Sequence, residues 1–268
     1  MAIAESAQVH PSAVVDERAE IGEGVRVGPF SVIGPGVVLE AGAEIKSHSV
    51  VVGQTRIGAE TVIFPFCVIG EIPQDLKFSG EETSLEIGAR NRIREHVTIN
   101  TGTAGGGGLT RIGDDCLFMA GVHVAHDCQV GDRVILVNNA GLAGHCVVED
   151  DVIVGGLSGL HQWVRVGRGA IIGAVTMVAH DVIPYGLVQG PRGRLDGLNL
   201  VGLKRKGLKR ADISELRAAF EELSTGEGSF QDRVHRLRGS GSNIYVDEIV
   251  EFVTGSSDRS FLTPGRGA

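Results

Sequence analysis

A chain of 268 residues is long enough for one large domain, or for a large and a small one, with a sizeable core. Its 33 acidic against 25 basic residues leave a net charge of −8, which argues against general nucleic-acid binding, since phosphate neutralisation needs excess Lys and Arg. No apolar run reaches the ~18 residues of a membrane span, and "MAIAESAQVHPSA" lacks a signal peptide's charged and apolar regions. The expectation is a soluble, cytoplasmic protein with no stable membrane insertion.

From Val9 an aliphatic residue recurs every six positions through Val15, Ile21, Val27 and on to Ile69, and the same phase returns at Ile87, Ile93 and Ile99. It slips by one and runs unbroken from Ile112, with Phe118 its one aromatic, to Val178, making 26 hexads, of which 11 carry Gly directly after the leading residue. An α-helix would repeat every 3.6 residues and a plain strand every two, so neither fits. The period predicts a parallel β-helix of short strands and tight corners, with Gly tolerating the corner geometry. About nine coils, each ~4.8 Å high, would stack into a prism roughly 40 Å tall. The fifth position of the hexads is nearly always small and is expected to point inward. Cys67, Cys116, Cys128 and Cys146 all fall there, so they are expected to be small core residues and not nucleophiles, disulfides or zinc ligands.

Polar stretches interrupt the repeat at 71–86 ("EIPQDLKFSGEETSLE") and 100–111, which includes "NTGTAGGGGLT". The second lacks the Gly-Lys-Ser/Thr ending of a phosphate-binding loop, so nucleotide cradling is not expected from its glycines. Inserted loops in repeat proteins tend to gather on one face and build the site. The β-helix is expected over 1–190 and a small α-helical C-terminal domain over 191–268. There "ADISELRAAFEEL" places Ile213, Leu216, Phe220 and Leu223 at helical spacing, with Asp212 and Glu215 resembling a capping box. Residues 229–238 and 243–253 are predicted as further helices, and the tail "GSSDRSFLTPGRGA" as frayed.

With 18 residues per coil, stepping up from His126 reaches Gly144 beside His145, then Gln162 beside His161. Three imidazoles are therefore expected along one edge, with His123 near the first. Such a stack can hold a metal or supply a general base. Imidazole suits the second task because its unperturbed pKa of ~6.5 leaves it mostly neutral at pH 7.

The hexads resemble those of the hexapeptide-repeat acyltransferases, whose β-helix is left-handed, so handedness is implied by the resemblance. "GEIPQDLKFSGE", "RNRIRE", "GGGLT", "HVAHDC", "LAGH", "HQW" and "NLVGLKRKG" are together similar to the UDP-N-acetylglucosamine acyltransferase family, which starts lipid A synthesis. That resemblance implies transfer of an (R)-3-hydroxyacyl chain from acyl carrier protein to the 3-position of the UDP-sugar. It implies His126 as general base, Asp127 as its orienting partner and the Gly144 N–H as oxyanion donor. Asp75, Lys77, His123, His145 and His161 would hold the sugar nucleotide, with Gln74 and Gln162 nearby. Asn199, Arg205 and Lys206 would reach it from an adjoining subunit of a homotrimer. The basic run "KRKGLKR" also suits an acidic carrier protein. Ala174, flanked by Val175, would limit the acyl chain, to about twelve carbons by a methyl-for-CH₂ argument. No cofactor is implied. The zinc site of hexapeptide-repeat carbonic anhydrases has a His five residues after its second ligand, where this chain has Val166 after His161, so no metal is expected.

Two departures bear on the acceptor. The family usually has His-Arg at Asn100-Thr101 and Glu at Val201, so a 3-amino sugar analogue stays open as an alternative. A second alternative is the later N-acyltransferase of the pathway, which carries a uridine-binding domain before its β-helix. The repeat beginning at Val9 is expected to leave no room for one. A non-catalytic β-helix scaffold would need neither the polar insertions nor the histidines.

Overall fold

The structure is a computed structural model that describes residues 2–238 and 243–264. Among them, mostly two-residue strands form three sheets of nine, eleven and nine strands; through the coils the pairing is parallel and each sheet takes every third strand of the chain, and the eleven-stranded sheet ends in the two strands that follow the coils. Register follows the 18-residue coil: Val9 pairs with Val27, and Val124 with Leu142. The coil is a left-handed β-helix. The predicted leading residues from Ile21 to Val178 are buried, so the core is one aliphatic column along the axis, and the four cysteines lie in it as free, buried thiols. Burial pushes the Cys67 and Cys116 thiols up to about 12, and the Cys128 thiol well above its ordinary value. None of these three is a ready thiolate.

Three features differ from the sequence reading. The coil starts one hexad earlier, because Ala2–Ile3 pairs with Glu20–Ile21. Except at Gly70 (φ 81°), the glycine after the aliphatic has no left-handed φ; its place is set by close approach of the next coil. A Cβ on Gly58 would lie 2.4 Å from the Gly88 carbonyl carbon, and one on Gly22 would lie 2.8 Å from Leu39 O. The left-handed φ falls two residues later and is mostly carried by side-chain-bearing residues such as Asp127, His145, Trp163 and Val175. Finally, strands reach into both insertions (Val68–Glu71, Ser84–Ile87, Thr98–Asn100, Leu109–Ile112), so the loops proper are 72–83 and 101–108.

After the last coils an antiparallel pair, Gly186–Gln189 with Arg194–Leu198, leads into four helices. Helix α1 (Leu200–Arg205) is capped by Asn199, whose Oδ1 accepts from Gly202 N while its Nδ2 donates to Gly169 O. Helix α2 (Arg210–Thr225) buries Ile213, Leu216, Ala219 and Leu223, with Phe220 half-buried against the core. Its N-cap is Lys209 without a side-chain bond, so the Asp212–Glu215 capping box is not formed. A capping box does open α3 (Phe230–Leu237), between Ser229 and Asp232. Helix α4 (Ile244–Thr254) is tied to the β-helix by Glu248, which accepts from the Tyr185 hydroxyl. The tail is not frayed as far as it is described: 257–264 docks onto Asp181 and Leu195. Residues 265–268 lie outside the described residues.

Candidate active site

His126 and Asp127 sit at the corner after strand His123–Val124, on the third sheet. Asp127 has φ 61°, a conformation that Asp adopts more readily than most residues, and this turns its carboxylate back onto its neighbour's imidazole. His126 Nδ1 lies 2.7 Å from Asp127 Oδ2, and both residues are only 5% exposed. A carboxylate only accepts, so His126 carries its proton on Nδ1 and leaves the Nε2 lone pair free.

Loop 101–108 fixes the carboxylate from the other side. Thr103 N donates to Oδ1 at 2.8 Å and Thr103 Oγ1 to Oδ2 at 2.6 Å, while Thr110 Oγ1 accepts from Asp127 N. A Cβ on Gly106 would lie 2.1 Å from Asp127 Cγ, so the glycines let the loop close over the acid. Sequence reasoning missed Thr103 and Thr110; a loop that must touch a buried carboxylate needs hydroxyl or N–H donors, and that was the available signal.

The strict 18-residue step also resolves the histidines. Gly144, not His145, lies above His126, and a Cβ there would meet the ring at 2.5 Å from Cε1 and 2.6 Å from Nε2. Gly144 is buried, and among the described residues no acceptor takes its N–H. His145 lies above Asp127, 3.6 Å from its Oδ2, and meets the His126 ring edge-on at 4.9 Å. Trp163, one further coil up, stacks on His145 at 3.8 Å with the rings 4° from parallel. The column at this corner is therefore Asp127–His145–Trp163, and counting by 18 from Asp127 would have found Trp163. The three-imidazole stack is corrected accordingly: His161 lies at the end of its strand, exposed, with Nδ1 2.7 Å from Arg259 Nη2.

A cleft of about 370 Å³ opens beside His145 and Trp163. Its far wall is loop 72–83, which contributes Asp75, Lys77 and Phe78, while Glu81 ties the two loops together through Ala104 N. Backbone N–H groups, that of Ser79 first, hold the Glu81 carboxyl down at about 2. Gln74 is on the same loop but does not line the cleft. A second hollow of about 390 Å³ joins Asp127, His145 and Trp163 to Ser256, Ser257 and Asp258 of the tail. His123 faces outward on its strand with Nδ1 2.7 Å from Thr98 Oγ1. Burial holds the His123 and His145 imidazoles below their ordinary value, helped by the nearby His126 and, for His145, opposed by Asp127.

Other expected site residues lie apart. Lys206 Nζ pairs with Asp151 at 2.7 Å, Arg205 is exposed, and Asn199 is engaged as the α1 cap; none of the three lines either hollow. Ala174 and Val175 are exposed at the corner before strand Met177–Val178. Asn100 and Thr101 anchor loop 72–83, Asn100 Nδ2 donating to Ile72 O and Thr101 N to Glu71 O. Val201 is 61% exposed on α1.

Residues 18–53 and 109–144 match the family model for the bacterial transferase hexapeptide (six repeats), and 181–262 match that for UDP-N-acetylglucosamine O-acyltransferase, domain 2. An acyl-[acyl-carrier-protein]--UDP-N-acetylglucosamine O-acyltransferase of Paracoccus denitrificans is 66% identical over 76% of this chain and 77% of its own length. One of Rhizobium johnstonii is 50% identical over 99% and 98%. The chain belongs to this O-acyltransferase family. Among solved structures, the UDP-N-acetylglucosamine acyltransferase from Campylobacter jejuni superposes with a TM-score of 0.90 at 34% identity, covering 96% of this chain and all of that one.

Two expectations follow for an O-acyltransferase with this corner. Gly144→Ala should fold, since Gly144 has no left-handed φ, yet its methyl must push the His126 ring aside. Displacement of a reacting group by ~1 Å costs about 10²-fold, so kcat/KM should fall by that order. Unchanged kinetics in the variant would show that the ring is not held where it is seen. The second concerns metal. His126, Asp127 and His145 offer ligand atoms within 4.8 Å of one another, but both Asp127 oxygens already accept from Thr103 and His126. Protein dialysed against a chelator should retain full activity; a loss that zinc restores would make the trio a metal site.

Proposed function

We propose that the chain transfers an (R)-3-hydroxyacyl group from acyl carrier protein to the 3-hydroxyl of UDP-N-acetylglucosamine, the first step of lipid A synthesis. The observation that carries this reading is the His126–Asp127 pair, buried, with Gly144 packed against the Cε1–Nε2 edge of the ring and its N–H without an acceptor among the described residues. Nε2 takes the proton of the sugar hydroxyl as its oxygen attacks the thioester carbon. The carbonyl oxygen gains charge and is met by the Gly144 N–H. The C–S bond then breaks, and the imidazolium returns the proton to the departing thiolate. No acyl-enzyme forms.

Asp75, Lys77, His123, His145 and His161 would grip the sugar nucleotide, with Gln74 and Gln162 nearby and Asn199, Arg205 and Lys206 supplied by an adjoining subunit. Ala174 and Val175 would limit the acyl chain. A homotrimer is supported by apolar residues exposed on the early coils, among them Val14, Phe30 and Phe66, at 64%, 62% and 51%. Sedimentation at micromolar concentration should give three copies, and a monomer would contradict it. No described helix is long and apolar enough to cross a membrane, which accords with action in the cytoplasm on a soluble carrier.

A 3-amino acceptor is the second reading. It rests on Asn100, Thr101 and Val201, which stand where the family usually has His, Arg and Glu. Pure protein given 3-hydroxyacyl carrier protein with UDP-N-acetylglucosamine or its 3-amino analogue decides between ester and amide by product mass. Transfer to neither sugar would overturn both readings.

A further inference from the structure

Residues 257–262 fold back onto the corner His180–Asp181, one coil above Gln162–Trp163. Asp181 N donates to Ser260 O at 2.9 Å, and Leu262 N donates to Asp181 O at 2.8 Å. The Asp181 carboxylate is fully buried and accepts from Arg165 N, Arg165 Nε and Ser257 Oγ, so the tail is held at its base by a satisfied buried acid. Ser260 Oγ lies 2.8 Å from His180 Nδ1.

This anchoring places Arg259. Its Nε donates to Gln162 O at 3.0 Å, and its Nη2 lies 2.7 Å from His161 Nδ1. Among the described residues Arg259 has no carboxylate partner. A guanidinium has donors and no acceptor, so the 2.7 Å contact requires a lone pair on Nδ1. His161 Nδ1 is also 3.3 Å from Gln162 O, and a proton on Nδ1 could point there. That arrangement would bring N–H against N–H at 2.7 Å, and Arg259 Nε already supplies Gln162 O. The shorter contact decides the tautomer: Nδ1 accepts and Nε2 carries the proton.

We propose that Arg259 is a positioning residue, which fixes His161 with its Nε2–H as a donor to an acceptor oxygen of the sugar nucleotide. The proposal rests on the reading above that His161 faces this substrate. It makes the tail part of the working site, and it gives His161 the tautomer opposite to that of His126.

Two measurements separate the proposal from that reading. Long-range ¹⁵N–¹H NMR of deuterated, ¹⁵N-histidine-labelled protein, with His161→Gln to assign the signal, reports the tautomer without substrate. Wild type should show His161 protonated on Nε2; Arg259→Met should give a mixture of tautomers, and Arg259→Lys should keep much of the wild-type state. Protonation on Nδ1 in wild type, or no change in Arg259→Met, would overturn the proposal. In kinetics Arg259→Met should raise KM for the UDP-sugar roughly three- to ten-fold, the worth of one neutral hydrogen bond, with little change in kcat and partial rescue by Lys. A changed tautomer with unchanged KM would instead overturn the placing of His161 on the sugar nucleotide.

Discussion

His126→Ala is expected to lower kcat by on the order of 10²–10⁴, the usual contribution of a positioned general base. His126 is buried with Nδ1 committed to Asp127, so Nε2 is its one nitrogen available to chemistry. Among the described residues no neighbour offers an equivalent base. His145 is turned edge-on to His126 and stacked on Trp163, and His123 engages Thr98. The fold should survive, because the aliphatic column runs inside the corner and Asp127 keeps its two bonds from Thr103. Comparing steady-state turnover with thermal melts tests this. Turnover close to wild type in a folded variant would move the base elsewhere.

Asp127→Asn should be nearly as damaging, for a different reason. The carboxylate accepts three bonds, two from Thr103 and one from His126. An amide accepts through one atom only. If its oxygen stays with Thr103 N, its NH₂ faces His126 Nδ1, which must then accept and shift its proton to Nε2. The lone pair that receives the substrate proton is lost, so kcat should fall by about 10²–10⁴ with KM little changed, as for a base held in the wrong tautomer. Asn tolerates the left-handed φ of this corner, so the backbone does not confound the result. A loss below tenfold would show that Asp127 serves packing and not protonation.

The hexad period carried most of the fold because one inward aliphatic per strand both drives burial and sets register. Positions from Ile21 to Val178 could be read directly, and so could the buried cysteines. Features that depend on contacts between distant segments were less legible. The role of Gly22 or Gly58 follows from how closely the next coil approaches, which the pattern does not encode. The Asp212–Glu215 box failed because the chain enters α2 after the turn at Gly207, two residues before Lys209. His126 and Gly144 could be placed together because they are one coil step apart, with Asp127 next in sequence, whereas Arg259 lies 98 residues from His161 and no period connects them.

The most direct test of the central claim is the pH dependence of kcat/KM, measured on wild type and on the residual activity of His126→Ala. If an unprotonated His126 takes the proton of the acceptor, wild-type kcat/KM falls tenfold per pH unit on the acid side, and this limb is absent in the variant. Persistence of the same acid limb in His126→Ala would show that the titrating base is another group and would contradict the account.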